Sequence, residues 1–158
     1  MNDTRIGFGY DFHKLIKGKS IGLAGVEIQS NYSVSAHSDG DIVFHALSDA
    51  IYGAIADGDI GTHFPSDDQN LNISSKKILS HACETLNKFG YSLGNIDITI
   101  ILEEPRLQNF IPQMRKNIST LTTLNIDRIS IKSSTSQGIG LIGNNQAIGC
   151  YSSILIKK

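Results

Sequence analysis

The chain has 158 residues, 40% of them hydrophobic and 18% charged, with a net charge of −1. That length suits one domain over residues 1–158, with a core that needs no disulfide or metal staple, and the balance of residues excludes a disordered chain. No run approaches the roughly 18 apolar residues of a membrane span. The opening Met1–Arg5 reads as neither a signal nor a transit peptide, and the distant Cys83 and Cys150 read as reduced thiols, so a bacterial cytoplasm is expected.

In chain order, Arg5 to His13 alternates as a strand does, and Ile21 to Ile28 reads as a glycine-bent strand or hairpin. Ile42, Val43, Ala46, Leu47, Ala50, Ile51, Ala54 and Ile55 recur at helical spacing. Ser38 to Asp41 before them fits a capping box with Ser38 as the cap, and Asp57-Gly58 gives the stop. The pattern predicts a second helix over Ser74 to Phe89, a β-branched strand over Ile96 to Leu102, and a third helix over Phe110 to Leu124 with Pro112 in its first turn. Arg128 to Ser134 and Ala147 to Ile156 alternate like strands. The order predicts an α/β (α+β) fold with helices packed on one face of a small mixed sheet. Gly138-x-Gly140-x-x-Gly143 matches a dinucleotide-binding pattern, but the segment after it reads as strand where that pattern needs a helix, so it is taken as a flexible glycine loop.

Charge is unevenly spread. Residues 1–68 carry four Lys/Arg against ten Asp/Glu, whereas residues 69–158 carry ten against five. Nine of the eleven Asp and four of the five His fall in the first stretch, and these are cation-holding residue types. The positive stretch has no Lys/Arg run and little aromatic interleaving, which argues against nucleic acid and for a small phosphorylated ligand. Asp11 and His13, two apart on a strand, share a face, and His45 sits on the first helix. One carboxylate and two imidazoles match a catalytic zinc with one position left open. Asp41 and Asp49, four residues either side of His45, are candidate acceptors to orient an imidazole. His37 and Ser38 precede the same helix, whose N-terminal N–H groups suit a phosphate.

These residues stand in longer runs. Arg-Ile-Gly-Phe-Gly-Tyr-Asp11-Phe-His13, Ala36-His37-Ser38-Asp39-Gly40-Asp41 with His45-Ala46-Leu47 and Asp49-Ala50, Asp57-Gly58-Asp59-Ile60-Gly61 with Phe64-Pro65, Gly90-Tyr91 with Leu93-Gly94-Asn95-Ile96-Asp97, and Ile111-Pro112-Gln113-Met114-Arg115 occur in order. Together they resemble the 2-C-methyl-D-erythritol 2,4-cyclodiphosphate synthase family over nearly the whole chain. The resemblance implies a homotrimer of ferredoxin-like protomers with active sites between subunits. It implies zinc on Asp11, His13 and His45, and Mg²⁺ or Mn²⁺ as a second divalent cation. His37 and Thr135 would be the catalytic residues, with His37 and Ser38 on the diphosphate. Asp59, Gly61 and Phe64 would line the methylerythritol pocket. Leu102, Pro105, Arg106, Leu107, Gln108 and Ser133, from the adjacent subunit, would enclose the cytosine and ribose, Ser134 and Thr135 would hold the α-phosphate, and Leu141 would add a further substrate contact.

The reaction so implied turns 4-diphosphocytidyl-2-C-methyl-D-erythritol 2-phosphate into the cyclic diphosphate with release of CMP. It needs no protein nucleophile, because the attacking phosphate is already an anion, and positioning and charge neutralisation carry such chemistry. The chain departs from the family's pattern in three places. Gln137 replaces the acid that contacts the second cation, so that contact is weakened. Ser66, beside Asp67 and Asp68, replaces an aspartate. Asn144-Asn145-Gln146-Ala147 lacks the Arg and Glu that frame an axial cavity, so no tight prenyl diphosphate binding is expected there. Two other readings are weighed against the active synthase: a trimer that binds zinc and ligand without turnover, and a zinc-dependent phosphoesterase.

Overall fold

The structure, a computed structural model, describes residues 3–36, 38–65 and 73–158. His37, Ser66, Asp67 and Asp68 lie outside the described residues. Seven strands are described: β1 (Thr4–Lys17), β2 (Ser20–Leu23), β3 (Val26–Gln29), β4 (Tyr32–Ser35), β5 (Ser92–Ile101), β6 (Ile129–Ser134) and β7 (Ala147–Lys157). The helices are α1 (Ile42–Ala54), α2 (Ile60–His63), α3 (Ser75–Lys88), α4 (Ile111–Thr122) and α5 (Gly140–Gly143). A five-stranded mixed sheet has the order β4-β1-β7-β5-β6, and β2 and β3 form a separate hairpin. β7 lies antiparallel to β1, from Thr4↔Lys157 to Lys14↔Ala147, and antiparallel to β5 on its other side. β6 runs parallel to β5 after the crossover through α4.

β1 sends its small residues inward and its aromatics outward. Gly7 and Gly9 are buried, whereas Ile6, Phe8, Tyr10 and Phe12 are 75%, 61%, 49% and 41% exposed. The reason is close approach by α1. A Cβ on Gly7 would stand 1.9 Å from the Ala50 carbonyl oxygen, and one on Gly9 would stand 1.9 Å from that of Ala46. Only glycine lets the helix backbone rest on the strand there. α1 is buried nearly all round, with α3 packed beside it through Ile78, Leu79, Ala82 and Leu86. Met114 and Ile118 of α4 join the same core over Ile96, Ile98, Ile100, Ile129 and Ile131. Among the described residues no helix is long and apolar enough to cross a membrane.

The predicted helices and strands stand in the predicted order, with three additions and one correction. β4, α2 and α5 are too short for a periodic signal to show. The loop read from Gly138 to Gly143 ends in the single turn α5, and it is a tight fold. Gly138 has φ +75, and a Cβ on Gly143 would meet the Gly138 carbonyl carbon at 2.0 Å. The correction concerns the cap of α1. It is Asp41, whose carboxylate accepts from the N–H groups of Val43 and Phe44 at 3.2 and 3.3 Å. Ser38 is too early: the chain turns at Gly40 (φ +74) before the helix starts at Ile42. Asp41 also accepts from Ala24 and Gly25 N–H at 2.9 and 2.7 Å, which ties the β2–β3 turn to the helix.

Candidate functional site

Asp11 and His13 lie on the helix-facing side of β1, and α1 passes close enough over Gly9 to bring His45 against them. Oxygen and nitrogen donors of the three residues all fall within 4.8 Å of one another. His45 Nδ1 is 2.9 Å from Asp11 Oδ2, and His13 Nδ1 is 3.3 Å from Asp11 Oδ1. Burial pushes the Asp11 carboxyl up, but the His13 and His45 imidazoles beside it outweigh this and hold the group well below the usual carboxylate range. The carboxylate is thus a partly buried anion that requires positive charge from its neighbours. His13 Nδ1 is buried and makes no hydrogen bond among the described residues. An orphaned imidazole nitrogen beside a carboxylate and a second imidazole suits a divalent cation, since buried polar atoms otherwise find partners.

The two acids expected to orient an imidazole do not reach one. Asp41 is committed to four backbone N–H groups, and Asp49 accepts from Ile60 N–H at 2.8 Å, which pins α2 to α1. Both lie a full helical turn from His45, and the ring points sideways to β1. Ser75 and Ser38 meet His45 Nε2 instead, with their Oγ atoms at 2.9 and 3.2 Å.

α2 carries the next group of predicted residues. Asp59 caps it, accepting from Thr62 N–H at 2.8 Å and Thr62 Oγ1 at 2.9 Å, and these bonds lower its pKa. Asp59 and Gly61 are exposed, and Phe64 is half-buried against His81. His63 stacks on Tyr52 at 4.2 Å between ring centres and donates to the Asp57 carbonyl oxygen at 2.9 Å, so α2 is held against α1.

On the far side of β7, Leu102, Pro105, Arg106, Leu107, Gln108, Ser133, Ser134 and Thr135 line one cavity of about 180 Å³. These are the residues assigned to the cytidine side, and the fold gathers them because β5 and β6 pair in parallel and end together. Leu141 and Gln137 do not line this cavity; Leu141 is 57% exposed, and Gln137 stands at φ +58. Glu103, which sequence reasoning missed, does line it. Its Oε1 accepts from Ser136 N–H at 2.7 Å, Ser136 Oγ at 2.9 Å and Gly138 N–H at 3.4 Å, and these bonds lower its pKa. It therefore anchors the turn that carries Thr135 and Gln137. Its one clue in the sequence was its place inside the Leu102–Gln108 segment. A larger cavity of about 570 Å³ between α4 and β5–β6 holds Arg115, Arg128 and Lys132, but each is bonded within the chain.

The two groups stand at the same level of the sheet. Phe12, between Asp11 and His13, and Ile101, just before Leu102, both pair with Gly149 of β7. Two strand spacings, about 10 Å, thus separate the backbones of β1 and β5 there.

Fold and site define a mixed α+β protein with a three-residue group able to hold a divalent metal ion. The pattern of the YgbB family matches residues 4–157. The chain belongs to that family, the 2-C-methyl-D-erythritol 2,4-cyclodiphosphate synthases. It is 41% identical over 155 residues to the enzyme of that name from Geobacter metallireducens, covering 98% of this chain and 99% of the relative. Among solved structures it is similar to the CDP complex of IspF from Plasmodium falciparum, with TM-score 0.87, 38% identity and coverage of 99% and 97%. It is also similar to the bifunctional IspDF from Campylobacter jejuni, with TM-score 0.95 and 35% identity, and there it spans 43% of that longer chain.

Proposed function

We propose that this chain converts 4-diphosphocytidyl-2-C-methyl-D-erythritol 2-phosphate to 2-C-methyl-D-erythritol 2,4-cyclodiphosphate with release of CMP, as a phosphorus–oxygen lyase of the non-mevalonate isoprenoid pathway. The observation that carries this reading is the convergence of Asp11, His13 and His45, whose donor atoms all lie within 4.8 Å of one another. The name shared by the relatives and the CDP held by a solved relative support it.

In the reaction, an oxygen of the substrate's 2-phosphate attacks the β-phosphorus. A P–O bond forms there, the bond from the β-phosphorus to the bridging oxygen breaks, and CMP leaves with that oxygen. The attacking group is an anion at neutral pH, so no general base is needed. The work of the chain is to fold the substrate back on itself and hold it. The Leu102–Gln108 segment and Ser133 of the adjacent subunit would enclose the cytosine and ribose, and Ser134 and Thr135 would hold the α-phosphate. Asp59, Gly61 and Phe64 would receive the methylerythritol, and His37 and Ser38 would contact the diphosphate. Zn²⁺ on Asp11, His13 and His45, with Mg²⁺ or Mn²⁺ nearer Gln137, would supply positive charge to the phosphate oxygens when bound.

We assign a homotrimer of ferredoxin-like protomers, each site shared by two subunits, in a bacterial cytoplasm. The open face of the sheet supports assembly: Ile6, Phe8, Tyr10, Phe12 and Tyr151 stand 38–75% exposed side by side on β1 and β7. Such a contiguous apolar patch marks an interface.

Phosphorus NMR of the protein with this substrate, Zn²⁺ and titrated Mg²⁺ tests the activity. The expected result is CMP plus a cyclic diphosphate, abolished by chelator. Bound but unchanged substrate at every Mg²⁺ level would favour the binding-only trimer, the outcome to which the neutral Gln137 points. A linear product would favour a phosphoesterase.

A further inference from the structure

We propose that Asp39 and Ser75 are positioning residues that orient the His45 ring and accept its Nε2–H when Nδ1 turns to a divalent cation. This rests on the proposed metal role of His45. Ser75 is the first residue of α3 and is fully buried. Its backbone N–H donates to Asp39 Oδ2 at 3.0 Å, and its hydroxyl donates to Asp39 Oδ1. A hydroxyl has one proton. With that proton on Asp39, Ser75 Oγ, 2.9 Å from His45 Nε2, meets the ring only as an acceptor. Ser75 therefore favours a ring with its hydrogen on Nε2, the form in which Nδ1 can bind a cation. Ser38 Oγ, 3.2 Å from the same nitrogen, stands on the same side and accepts from Gly40 N–H at 3.1 Å.

The consequence appears at the other ring nitrogen. His45 Nδ1 stands 2.9 Å from Asp11 Oδ2, where it can donate to the carboxylate in the metal-free chain. The orphaned His13 Nδ1 adds a further nitrogen facing the same carboxylate. A cation between these groups would take the place of that proton, and a metal-bound imidazole ordinarily donates its remote N–H to an oxygen that fixes the ring. Here the oxygen is a serine hydroxyl backed by a carboxylate. Asp39 N–H also donates to the Ile73 carbonyl oxygen at 3.3 Å, so the relay ties the start of α3 to the cation site.

Two measurements test this on the full chain. In the zinc-loaded protein, long-range ¹H–¹⁵N spectra of labelled histidine should show His45 bound through Nδ1 with its Nε2–H retained. Binding through Nε2 overturns the proposal, and no variant is needed to see it. Second, competition with a chromophoric chelator should show Ser75→Ala binding Zn²⁺ about 10–100-fold more weakly than wild type, with Ser75→Thr recovering most of the loss. Melting of the metal-free forms checks that the variants fold. Wild-type Zn²⁺ affinity in a folded Ser75→Ala also overturns the proposal. A wild type that binds no Zn²⁺ overturns the metal assignment itself, an outcome distinct from zinc held through Nε2.

Discussion

The two halves of the candidate site are built differently. On the metal side, Asp11, His13 and His45 project from a central strand and a buried helix, and each is at most 22% exposed at its side chain. On the cavity side, the lining comes from two strand ends and the loops that follow them, and its charged anchor, Glu103, is tied to a turn rather than to the core. Damage to the first region should reach the fold, whereas damage to the second should reach ligand binding first. The difference follows from packing: a side chain on a close-packed element is held by many contacts, and one on a turn is held by a few hydrogen bonds.

The largest expected effect is loss of the metal side's chemistry. His45→Ala should abolish stoichiometric Zn²⁺ binding by equilibrium dialysis and cut CMP release by about 10²–10³-fold, the equivalent of several kcal/mol of charge stabilisation. Retained turnover in a metal-free His45→Ala protein would show that the two halves do not act together. Next comes the close contact beneath α1. Gly9→Ala should destabilise the fold by about 1–3 kcal/mol in urea denaturation, because the new methyl overlaps the Ala46 carbonyl. A wild-type midpoint would mean that helix and strand separate freely.

The matching test on the cavity side is Glu103→Ala. It removes an acceptor shared by three donors and should weaken CMP binding by calorimetry about tenfold, at nearly wild-type melting temperature. Glu103→Gln keeps an acceptor oxygen and should recover most of the affinity. Equal loss in both variants would assign the effect to charge instead of to anchoring.

A subtler effect is the pH dependence set by Asp41, which burial pushes up to about 6 despite its backbone donors. The folded state then holds this proton more tightly than the unfolded chain, so the group's contribution to stability falls as pH rises from about 4 to 6. The stability of wild type relative to Asp41→Asn should fall across that window and stay level above it. A difference that rises with pH would contradict the assignment. The smallest expected change is Gln137→Glu, which should tighten Mg²⁺ a few-fold in titrations with CDP present. Equal affinities would place the second cation away from residue 137.

Much of the fold was legible because long elements repeat their pattern many times. The α1 periodicity, the β-branched run of β5 and the alternation of β1 each declare themselves. Short elements had no room for a period, and β4, α2 and α5 went unseen. The same holds for the site. Asp11 and His13 could be paired from spacing alone, since alternate residues share a strand face. Ser38 was taken for the helix cap and Asp41 for a ring acceptor, because the capping-box spacing fits both residues and cannot reveal the turn at Gly40. Nothing in the sequence pointed to Ser75, thirty positions from the ring it meets.

The sequence by itself thus determined which segments are helix or strand, which residues carry cation and phosphate chemistry, and the family. Tertiary structure decided the rest. It turned the glycines of β1 inward and its aromatics outward, because helix α1 needs the space that a Cβ would fill. It joined Asp39, Ser75, His45 and Asp11 into one chain of contacts, because packing α1 against β1 and α3 brings together atoms whose separation along the chain carries no signal.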